Sequence, residues 1–325
     1  MNWLITGGAG FIGRNLIRRL LDEGGHAIRV VDDLSVGTVD ALEAMTSVRR
    51  YAPTDVGGAP DGVELVQADV RDADAAVAAA RGVDAIVHLA ANTGVQPSIA
   101  DPMLDATTNV LGTLHYLEAA RHNGVNRFVF ASSGGTVIGD VEPPIHEEMV
   151  PHPKAPYGAS KSAGEGYLSA YHGTFGIQAT GLRFANVYGP GSTHKNSVVA
   201  KFIRRALAGE PLEIYGDGGQ TRDFIYIDDL VDAIVQAATR PDVGGEVFQI
   251  ATARETSVGE IADALVPILN AFGIEGVSVE HGDALPGEIR RNFSDTTKAR
   301  DLLGWTANVA LDEGLTRTVA WFVRA

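Results

Sequence analysis

The stretch Thr6-Gly7-Gly8-Ala9-Gly10-Phe11-Ile12-Gly13 joins a short apolar segment, Trp3 to Thr6, to a segment with the apolar spacing of a helix. In that second segment, apolar residues recur every three or four positions until Gly24-Gly25 ends the pattern. Another apolar segment, His26 to Val31, follows and ends at Asp32. This order predicts a strand, a glycine-rich turn, a helix and a second strand, which together form a βαβ unit of a parallel sheet.

A glycine-rich turn before a helix, with a carboxylate at the end of the next strand, is typical of a dinucleotide-binding site. Glycine lets the backbone approach a pyrophosphate, and the helix N-terminus offers unpaired N–H groups and the positive end of its dipole. Asp32 is placed to accept hydrogen bonds from the adenosine ribose, and it would repel a 2′-phosphate, so NAD is favoured over NADP. The residues of this unit predicted to bind the cofactor are Gly7, Gly10, Phe11, Ile12, Gly13, Asp32, Asp33 and Ser35.

The stretch Tyr157-Gly158-Ala159-Ser160-Lys161 places a tyrosine and a lysine one helical turn apart on the same face. A phenol has a pKa of about 10, and lowering it to near 7, where the group can act as a base, takes about 4 kcal/mol. An ammonium group one turn away and an oxidised nicotinamide ring both favour the phenolate. We therefore predict that Tyr157 and Lys161 are catalytic and contact the cofactor. The spacing alone also fits an aromatic residue beside a solvated lysine.

Length and composition limit the remaining possibilities. The 325 residues, 45% hydrophobic and 21% charged, describe an ordinary globular chain with room for two domains. The formal net charge of −15 argues against a nucleic-acid partner, which requires a basic surface. The chain has no cysteine, so disulfides and thiolate chemistry are excluded, and we expect no bound metal. No apolar run could cross a bilayer and no signal peptide precedes Trp3, so we expect a cytoplasmic protein that does not bind membranes.

Apolar segments alternate with helical patterns as far as about residue 185, while the turn-rich residues 34–62 are predicted to be a surface excursion. The alternation predicts an α/β fold, a doubly wound parallel sheet with its ligand at the carboxyl ends of the strands. After Arg183 the pattern changes. The expected domains are a dinucleotide-binding domain of residues 1–185 plus about 224–250, and a smaller, discontinuous C-terminal substrate lobe of residues 186–223 plus 251–325.

The spacing Gly7-x-x-Gly10-x-x-Gly13, with Tyr157 and Lys161, resembles the extended short-chain dehydrogenase/reductases, in particular their nucleotide-sugar epimerase/dehydratase branch. The resemblance covers essentially the whole chain. It implies a Rossmann-like fold, NAD as cofactor and a nucleotide-diphosphate sugar as substrate. It also implies further cofactor contacts, at Asp69 and Val70 for the adenine, at Leu89, Ala90 and Ala91 where the backbone passes the cofactor, and at Asn109.

Three of these segments have alternative roles. A helix N-cap is as good a role for Asp69 as adenine binding, and both could hold. Close packing against the sheet is favoured for Asn109-Val110-Leu111-Gly112-Thr113, with a cofactor contact from Asn109 in addition. We expect His88 to pack in the core rather than to act in catalysis or bind a metal.

On the substrate side, the resemblance implies that Arg222, Arg290 and Asn186 bind the diphosphate. Arg222 lies in Gln-Thr-Arg-Asp-Phe, Arg290 in Pro-Gly-Glu-Ile-Arg-Arg and Asn186 in Arg-Phe-Ala-Asn-Val-Tyr-Gly-Pro. Arginine suits phosphate because its fork donates two parallel hydrogen bonds. Two guanidinium groups in one cleft would let an acidic protein bind a dianion.

The family's proton relay, a serine or threonine beside the tyrosine, has no side chain at its commonest position here, which is Gly134. Ser133 resembles the relay of a subset that reads Ser-Ser-Gly-Gly, so we assign the relay to Ser133, with Thr136 as the fallback; both are predicted substrate contacts. Ile138 replaces the family's usual tyrosine, which we interpret as a packing change.

The same loop separates reaction types. Sugar 4,6-dehydratases resemble Thr-Asp-Glu-Val-Tyr-Gly, whereas this chain has Gly134 and Gly135 in place of the two carboxylates. The remaining groups can oxidise C4 and return the hydride to the opposite face. The resemblance therefore implies an NAD-dependent nucleotide-sugar 4-epimerase of the UDP-glucose 4-epimerase type, acting on UDP-glucose and UDP-galactose or on their N-acetyl or uronic acid analogues. Asn292, beside the sugar in relatives, does not decide between these substrates.

Alternatives remain open at this stage. A dehydratase or decarboxylase would need an acid from elsewhere, for which Glu147, Glu148 and Glu165 are weak candidates. A non-catalytic NAD-sensing module would have no use for Tyr157, Lys161 or the arginines. The helices predicted at residues 105–123 and 157–175 match those that pair in relatives, so we expect a homodimer.

Overall fold

A computed structural model describes residues 1–284 and 289–324. Within them the strands are β1 (Asn2–Thr6), β2 (Ala27–Asp32), β3 (Val48–Tyr51), β4 (Val63–Gln67), β5 (Ala85–His88), β6 (Arg127–Ser133), β7 (Gln178–Phe184), β8 (Asn186–Tyr188), β9 (Leu212–Tyr215), β10 (Thr221–Arg222), β11 (Phe224–Tyr226), β12 (Val247–Ile250), β13 (Thr256–Ser257) and β14 (Val279–Gly282). The α-helices are α1 (Phe11–Glu23), α2 (Val39–Glu43), α3 (Ala73–Ala79), α4 (Val95–Ala100), α5 (Pro102–Ala106), α6 (Gly112–Asn123), α7 (Gly134–Ile138), α8 (Pro156–Phe175), α9 (Val198–Leu207), α10 (Ile227–Thr239), α11 (Val258–Ala271) and α12 (Leu311–Arg324).

Eight of the described strands form one parallel sheet in the order β12-β7-β6-β5-β1-β2-β4-β3. β1 lies between β2 and β5; β2, β4 and β3 extend the sheet on one side, and β5, β6, β7 and β12 extend it on the other. A sheet of this kind binds its ligand at the carboxyl ends of the strands where the direction reverses, here between β1 and β5. The predicted doubly wound parallel sheet is confirmed.

Both faces of this sheet are covered, which explains its nearly continuous apolar strands. In β1, Trp3 and Ile5 project into one hydrophobic cluster and Leu4 into another on the opposite side. Helices α1 and α10 pack on one face, and α3, α6 and α8 pack on the other. Successive side chains of β1 point to opposite faces of the sheet, so this one strand packs against a helical layer on each side.

The excursion predicted for residues 34–62 contains regular structure that the sequence does not reveal. Val48–Tyr51 is the edge strand β3 and pairs in parallel with β4, and α2 precedes it. The strand has only four residues, and two of them, Arg49 and Arg50, are exposed. It therefore lacks the apolar pattern by which a strand is predicted from sequence. The predicted surface excursion therefore contains an edge strand of the large sheet, which the sequence analysis did not identify.

The remaining described strands form three small two-stranded sheets outside the large one. β11 pairs in parallel with β8, β14 with β9, and β10 runs antiparallel to β13. β11 therefore does not return to the large sheet, although the helix that follows it, α10, packs against α1. Helices α9, α11 and α12 pack against one another. The division into two domains stays a prediction, and Pro286-Gly287-Glu288 of the predicted arginine motif lies outside the described residues.

The long helix predicted from residue 105 begins earlier and is not uniform. It runs from α5 through a π-helical turn at Thr107–Leu111 into α6. Within residues 1–284 and 289–324, none of the helices combines the length and apolar character needed to cross a membrane.

Candidate active site

The turn between β1 and α1 is packed so closely that side chains would not fit at its glycines. Gly7 has a φ of 69°, and a Cβ on it would lie 2.8 Å from the backbone nitrogen of Ala90. A Cβ on Gly13 would lie 2.5 Å from the Cα of Gly8. The turn therefore presents bare backbone at the carboxyl end of β1, as close approach of a pyrophosphate requires.

Two features beside this turn fit a dinucleotide. Among the described residues, no side chain caps the first turn of α1, so its amide groups are left to a ligand. Asp32 ends β2 and is 8% exposed; its carboxylate accepts hydrogen bonds from the backbone nitrogens of Ala9 (2.9 Å) and Leu34 (2.9 Å). Burial raises the pKa of Asp32. These contacts hold the carboxylate beside the turn, and its remaining lone pairs can accept ribose hydroxyls.

The other predicted cofactor residues lie along the same edge of the sheet. Asp33 is exposed, and its Oδ1 accepts hydrogen bonds from the nitrogen and the hydroxyl of Ser35. Asp69 follows β4 and forms an ion pair with Arg71, which lowers the pKa of the carboxyl. The N-cap alternative for Asp69 is wrong, because Asp72 caps α3 by accepting from the nitrogen of Ala75.

Asn109 connects two segments that border the same edge. Its Oδ1 accepts from the nitrogen of Asn92 at 2.8 Å, and its Nδ2 donates to the carbonyl oxygen of Asn92 at 3.1 Å. These bonds fix the backbone that follows Leu89, Ala90 and Ala91. Val70 is buried, and a Cβ on Gly112 would lie 3.0 Å from its Cγ2, so the predicted close packing of the Asn109–Thr113 segment is confirmed.

Tyr157 and Lys161 lie on the first turns of α8, as predicted. Lys161 is 2% exposed; its Nζ donates to the carbonyl oxygen of Ala131 at 2.8 Å and lies 5.7 Å from the centre of the Tyr157 ring. Burial lowers the pKa of Lys161 to about 8 and raises the pKa of Tyr157 to about 12. Burial disfavours both the phenolate and the ammonium, so the lysine does not acidify the phenol by itself, and the expected joint effect of lysine and nicotinamide stays a prediction. Bringing the Tyr157 pKa from about 12 to near 7 takes about 7 kcal/mol, which calls for a further positive charge beside the ring.

A polar network behind this pair was missed by the sequence analysis. Asp105 is 1% exposed and accepts a hydrogen bond from Asn109 Nδ2 at 2.8 Å. The same amide lies 3.2 Å from the hydroxyl of Ser160, which donates to the carbonyl oxygen of Tyr157. The negative charge of Asp105 adds to the burial that raises the pKa of Tyr157, and it offsets part of the burial that lowers the pKa of Lys161. The spacing Asp105-x-x-x-Asn109 is the one signal that could have found it.

A pocket outside the large sheet contains two of the predicted substrate residues in its lining. Asn186 and Arg222 line it, together with Asn196 and Phe224. Arg222 Nη1 donates to the carbonyl oxygens of Thr221 (2.7 Å) and Ile289 (2.8 Å). Asn196 was missed, because nothing in its local sequence marks it.

Arg290 is not among the described residues that line this pocket. Its guanidinium forms a bidentate ion pair with the exposed carboxylate of Asp217, at 2.6 and 2.8 Å. The pairing holds the pKa of Asp217 far below its usual range. Asn186 and Arg222 therefore line the pocket, whereas Arg290 lies beside Arg222, with its carbonyl oxygen accepting from the nitrogen of Thr221 at 2.9 Å, and directs its guanidinium to Asp217.

Comparison with known proteins agrees with this geometry. A model of the NAD dependent epimerase/dehydratase family matches residues 3–251. The chain belongs to the NAD-dependent epimerase/dehydratase family. It is 41% identical to the UDP-glucose 4-epimerase of Mycolicibacterium smegmatis, over 99% of this chain and 98% of that protein. The predicted family membership and the prediction of NAD as cofactor are confirmed.

Solved structures give the same result. The UDP-glucose 4-epimerase of Thermotoga maritima with UDP-glucose superposes with a TM-score of 0.88 at 35% identity, covering 100% of this chain and 99% of that one. The UDP-glucose 4-epimerase of Thermus thermophilus in complex with NAD superposes with a TM-score of 0.86 at 33% identity, covering 100% of both chains. Both likenesses extend over the substrate side as well as the large sheet.

In an epimerase/dehydratase, the loop after β6 is where the relay and the reaction type are decided. Ser133 ends β6, and Gly134 begins the short helix α7, which the sequence analysis had not identified as a helix. A Cβ on Gly158 would collide with the carbonyl oxygen of Thr136, so α7 packs directly against the first turn of α8. Among the described residues, the buried hydroxyl of Thr136 has no hydrogen-bond partner. The two candidates for the proton relay, Ser133 and Thr136, therefore both lie on elements adjacent to Tyr157.

Two amide side chains occupy the space beside the glycines of this loop. A Cβ on Gly134 would lie 2.7 Å from Gln249 Oε1, and one on Gly135 would collide with Asn292 Nδ2. Both contact atoms are the ends of side chains, so the contacts show close packing rather than a strict bar to a side chain. Counted back from Gly139, the two carboxylates of the dehydratase pattern fall on Gly135 and Thr136, not on Gly134 and Gly135 as expected from the sequence, and neither residue is acidic. Gln249 was missed because it lies on β12, more than a hundred residues from the loop it packs against.

The carboxylates considered as substitute acids have other roles. Glu165 is 8% exposed and binds Arg183 in a bidentate ion pair, at 2.9 and 2.8 Å, while Ser132 donates to it at 2.5 Å. Glu147 accepts from the backbone nitrogen of Gln249 at 2.7 Å, and Glu148 is exposed. The contacts of Glu147 and Glu165 fasten the loop and α8, whereas Glu148 is exposed to solvent.

His88 lies in the core, as expected. It is 1% exposed, contacts the Thr6 hydroxyl at 2.9 Å through Nδ1, and stacks on Phe130. Burial lowers its pKa to about 3, so it stays neutral. In the described part of the chain, His, Asp and Glu side chains nowhere form a group of three that could hold a metal ion.

Proposed function

We propose that this protein is an NAD-dependent 4-epimerase of nucleotide-diphosphate sugars, of the UDP-glucose 4-epimerase type. The observation that carries the proposal is the combination of the Tyr157–Lys161 pair with a loop, residues 134–136, that has no acidic side chain and packs against the amides of Gln249 and Asn292. The pair supports oxidation at C4, and the loop supplies no acid and base for the loss of water.

Tyr157 takes the proton of the sugar 4-hydroxyl, through Ser133 as relay, and returns it after the keto sugar has turned over. Bound NAD would supply the oxidant for C4 and, once reduced, the hydride for its return to the opposite face. Lys161, held by the carbonyl of Ala131, positions the nicotinamide ribose and contributes positive charge beside the phenol. The outcome is an inverted C4 and an unchanged cofactor, so atoms and electrons balance over one turnover.

The site residues for binding remain those named from the sequence. The cofactor contacts are the Gly7–Gly13 turn, Asp32, Asp33, Ser35, Asp69, Val70, the Leu89–Ala91 segment and Asn109. Arg222 and Asn186 bind the substrate diphosphate in the pocket they line. Arg290 joins them only if its pairing with Asp217 opens.

A homodimer in the cytoplasm is part of the same proposal. Helices α4, α5 and α8 present exposed apolar side chains, with Ile99, Met103 and Phe175 exposed by 54%, 71% and 49%. Met103→Lys should give a monomer by light scattering, whereas Val150→Lys, on a loop outside these helices, should leave a dimer. A monomeric wild-type protein would contradict the proposed dimer.

The experiment that tests the function is incubation of the purified protein with UDP-galactose, UDP-GalNAc and UDP-galacturonate, without added NAD. We expect the C4 epimer of at least one substrate as the sole product. Loss of water or carbon dioxide would instead support a dehydratase or decarboxylase. No turnover of any nucleotide sugar would favour an NAD-sensing module.

A further inference from the structure

The loop between β8 and α9 lies across the first turn of α1. Arg14 Nη2 donates to the carbonyl oxygen of Gly191 at 3.1 Å, and Asn15 Nδ2 donates to that of Pro190 at 3.0 Å. Further along this loop, the Nζ of Lys195 lies 5.2 Å from the centre of the Phe11 ring. Lys195 is thus brought to the residue that begins α1, directly after the glycine-rich turn.

The same ammonium group also borders the substrate pocket. Its Nζ donates to the carbonyl oxygen of Val187 at 3.2 Å. Val187 lines the pocket together with Asn186, Arg222 and Asn196, the residue that follows Lys195. Lys195 therefore lies between the turn proposed to hold the NAD pyrophosphate and the pocket proposed to hold the diphosphate of the sugar.

The charge of Lys195 is not balanced by the protein around it. Two other lysines in this half of the chain pair with carboxylates, Lys201 with Glu213 at 2.9 Å and Lys298 with Glu246 at 2.7 Å. Within the residues that the structure describes, Lys195 forms no ion pair, and its hydrogen bond goes to a carbonyl oxygen. Burial lowers the pKa of Lys195 to about 8, and no neighbouring carboxylate in the described part of the chain opposes this shift. An ammonium group has three donors, so two remain for a ligand.

We propose that Lys195 is an anion-binding residue that donates to a phosphate of a diphosphate diester held between the first turn of α1 and the pocket. The inference rests on the proposed function, which brings two such groups to this place. NAD and the nucleotide sugar share the chemistry, and the test separates them. In either case Lys195 supplies positive charge to an acidic protein at the place where a dianion has to bind. The sequence analysis assigned this role to arginines alone.

The test compares Lys195→Met, which keeps the length of the side chain without its charge, with Lys195→Arg. Lys201→Met is the matched control, since it removes a lysine from the same segment where a carboxylate already neutralises it. Two quantities are measured for each variant. One is the affinity for UDP and for uridine of protein saturated with NAD, by calorimetry. The other is the NAD content of the purified protein after dialysis.

If Lys195 binds the sugar nucleotide, Lys195→Met should weaken UDP binding by about 10- to 100-fold and leave uridine binding unchanged. If it binds the cofactor, the NAD content should fall and UDP affinity should stay the same. Lys195→Arg should stay close to the wild type in both cases, and so should Lys201→Met.

Unchanged UDP affinity together with unchanged NAD content in Lys195→Met would overturn the inference. An equal loss for UDP and uridine would also overturn it, because that result indicates a disturbed loop rather than a lost phosphate contact. A wild-type protein that binds NAD but not UDP would refute the proposed function instead, and the NAD content would then decide the role of Lys195.

Discussion

The two ends of the proposed site are built in different ways. The cofactor side consists of backbone from one continuous stretch, Gly7 to Gly13, whose glycines are required by contacts as short as 2.5 Å. The substrate side consists of side chains from distant segments, among them Asn186, Arg222, Gln249 and Asn292. A backbone site of this kind tolerates few residue types, because a side chain at its glycines would collide with neighbouring backbone. A side-chain site can change one residue at a time, which is how one fold comes to host several reactions.

The first prediction removes the group on which both sides converge. Tyr157→Phe should lower kcat by about 10³- to 10⁴-fold, because it removes the phenol oxygen proposed to take the proton of the 4-hydroxyl. NAD content and UDP affinity should stay close to those of the wild type. Steady-state kinetics and calorimetry measure these quantities, and unchanged turnover would remove tyrosine from the mechanism.

The second prediction concerns the side chain that distinguishes this loop. Ser133→Ala should lower kcat by about 10²-fold if its hydroxyl relays the proton. Thr136→Val is the comparison, because the buried Thr136 hydroxyl has no partner among the described residues and is the fallback relay. Its removal should lower kcat less than the removal of the Ser133 hydroxyl. The reverse outcome, a loss only in Thr136→Val, would transfer the relay to that residue.

The third prediction tests the backbone side. Gly13→Ala should weaken NAD binding by about 10- to 100-fold, because the new Cβ would push against Gly8 in the turn. Gly24→Ala is the matched control. Gly24 has a φ of 72° with open space around it, so this change adds backbone strain without a collision and should leave NAD content unaffected. Equal NAD loss in both variants would show that strain rather than close approach is responsible.

The smallest effect is expected on stability, in the loop after β6 that lies between the cofactor side and the substrate side. Gly134→Ser should destabilise the protein by about 1–3 kcal/mol, because the serine Cβ would press against Gln249 Oε1. Adding Gln249→Ala should recover most of that loss, in a double-mutant cycle followed by thermal melting. If the two changes are additive, Gln249 does not enforce the glycine.

The same contrast, between features set within one segment and features set by contacts between distant segments, separates what could be predicted from sequence from what could not. The large sheet, the glycine turn, and the Tyr157–Lys161 pair could be predicted because each depends on spacing within one segment. The N-cap at Asp72, the strand β3 and the contact of Gln249 with Gly134 could not, because each depends on what lies opposite in the fold. The raised pKa of Tyr157 belongs to the second group, since the spacing of two residues contains no information on their burial.

The central claim is that a hydride leaves C4 of the sugar and returns to the same carbon. The most direct test uses a UDP-hexose carrying deuterium at C4, converted by the purified protein and analysed by NMR. We predict that the deuterium stays at C4 in both epimers. Deuterium at another carbon, or released to solvent, would contradict the account.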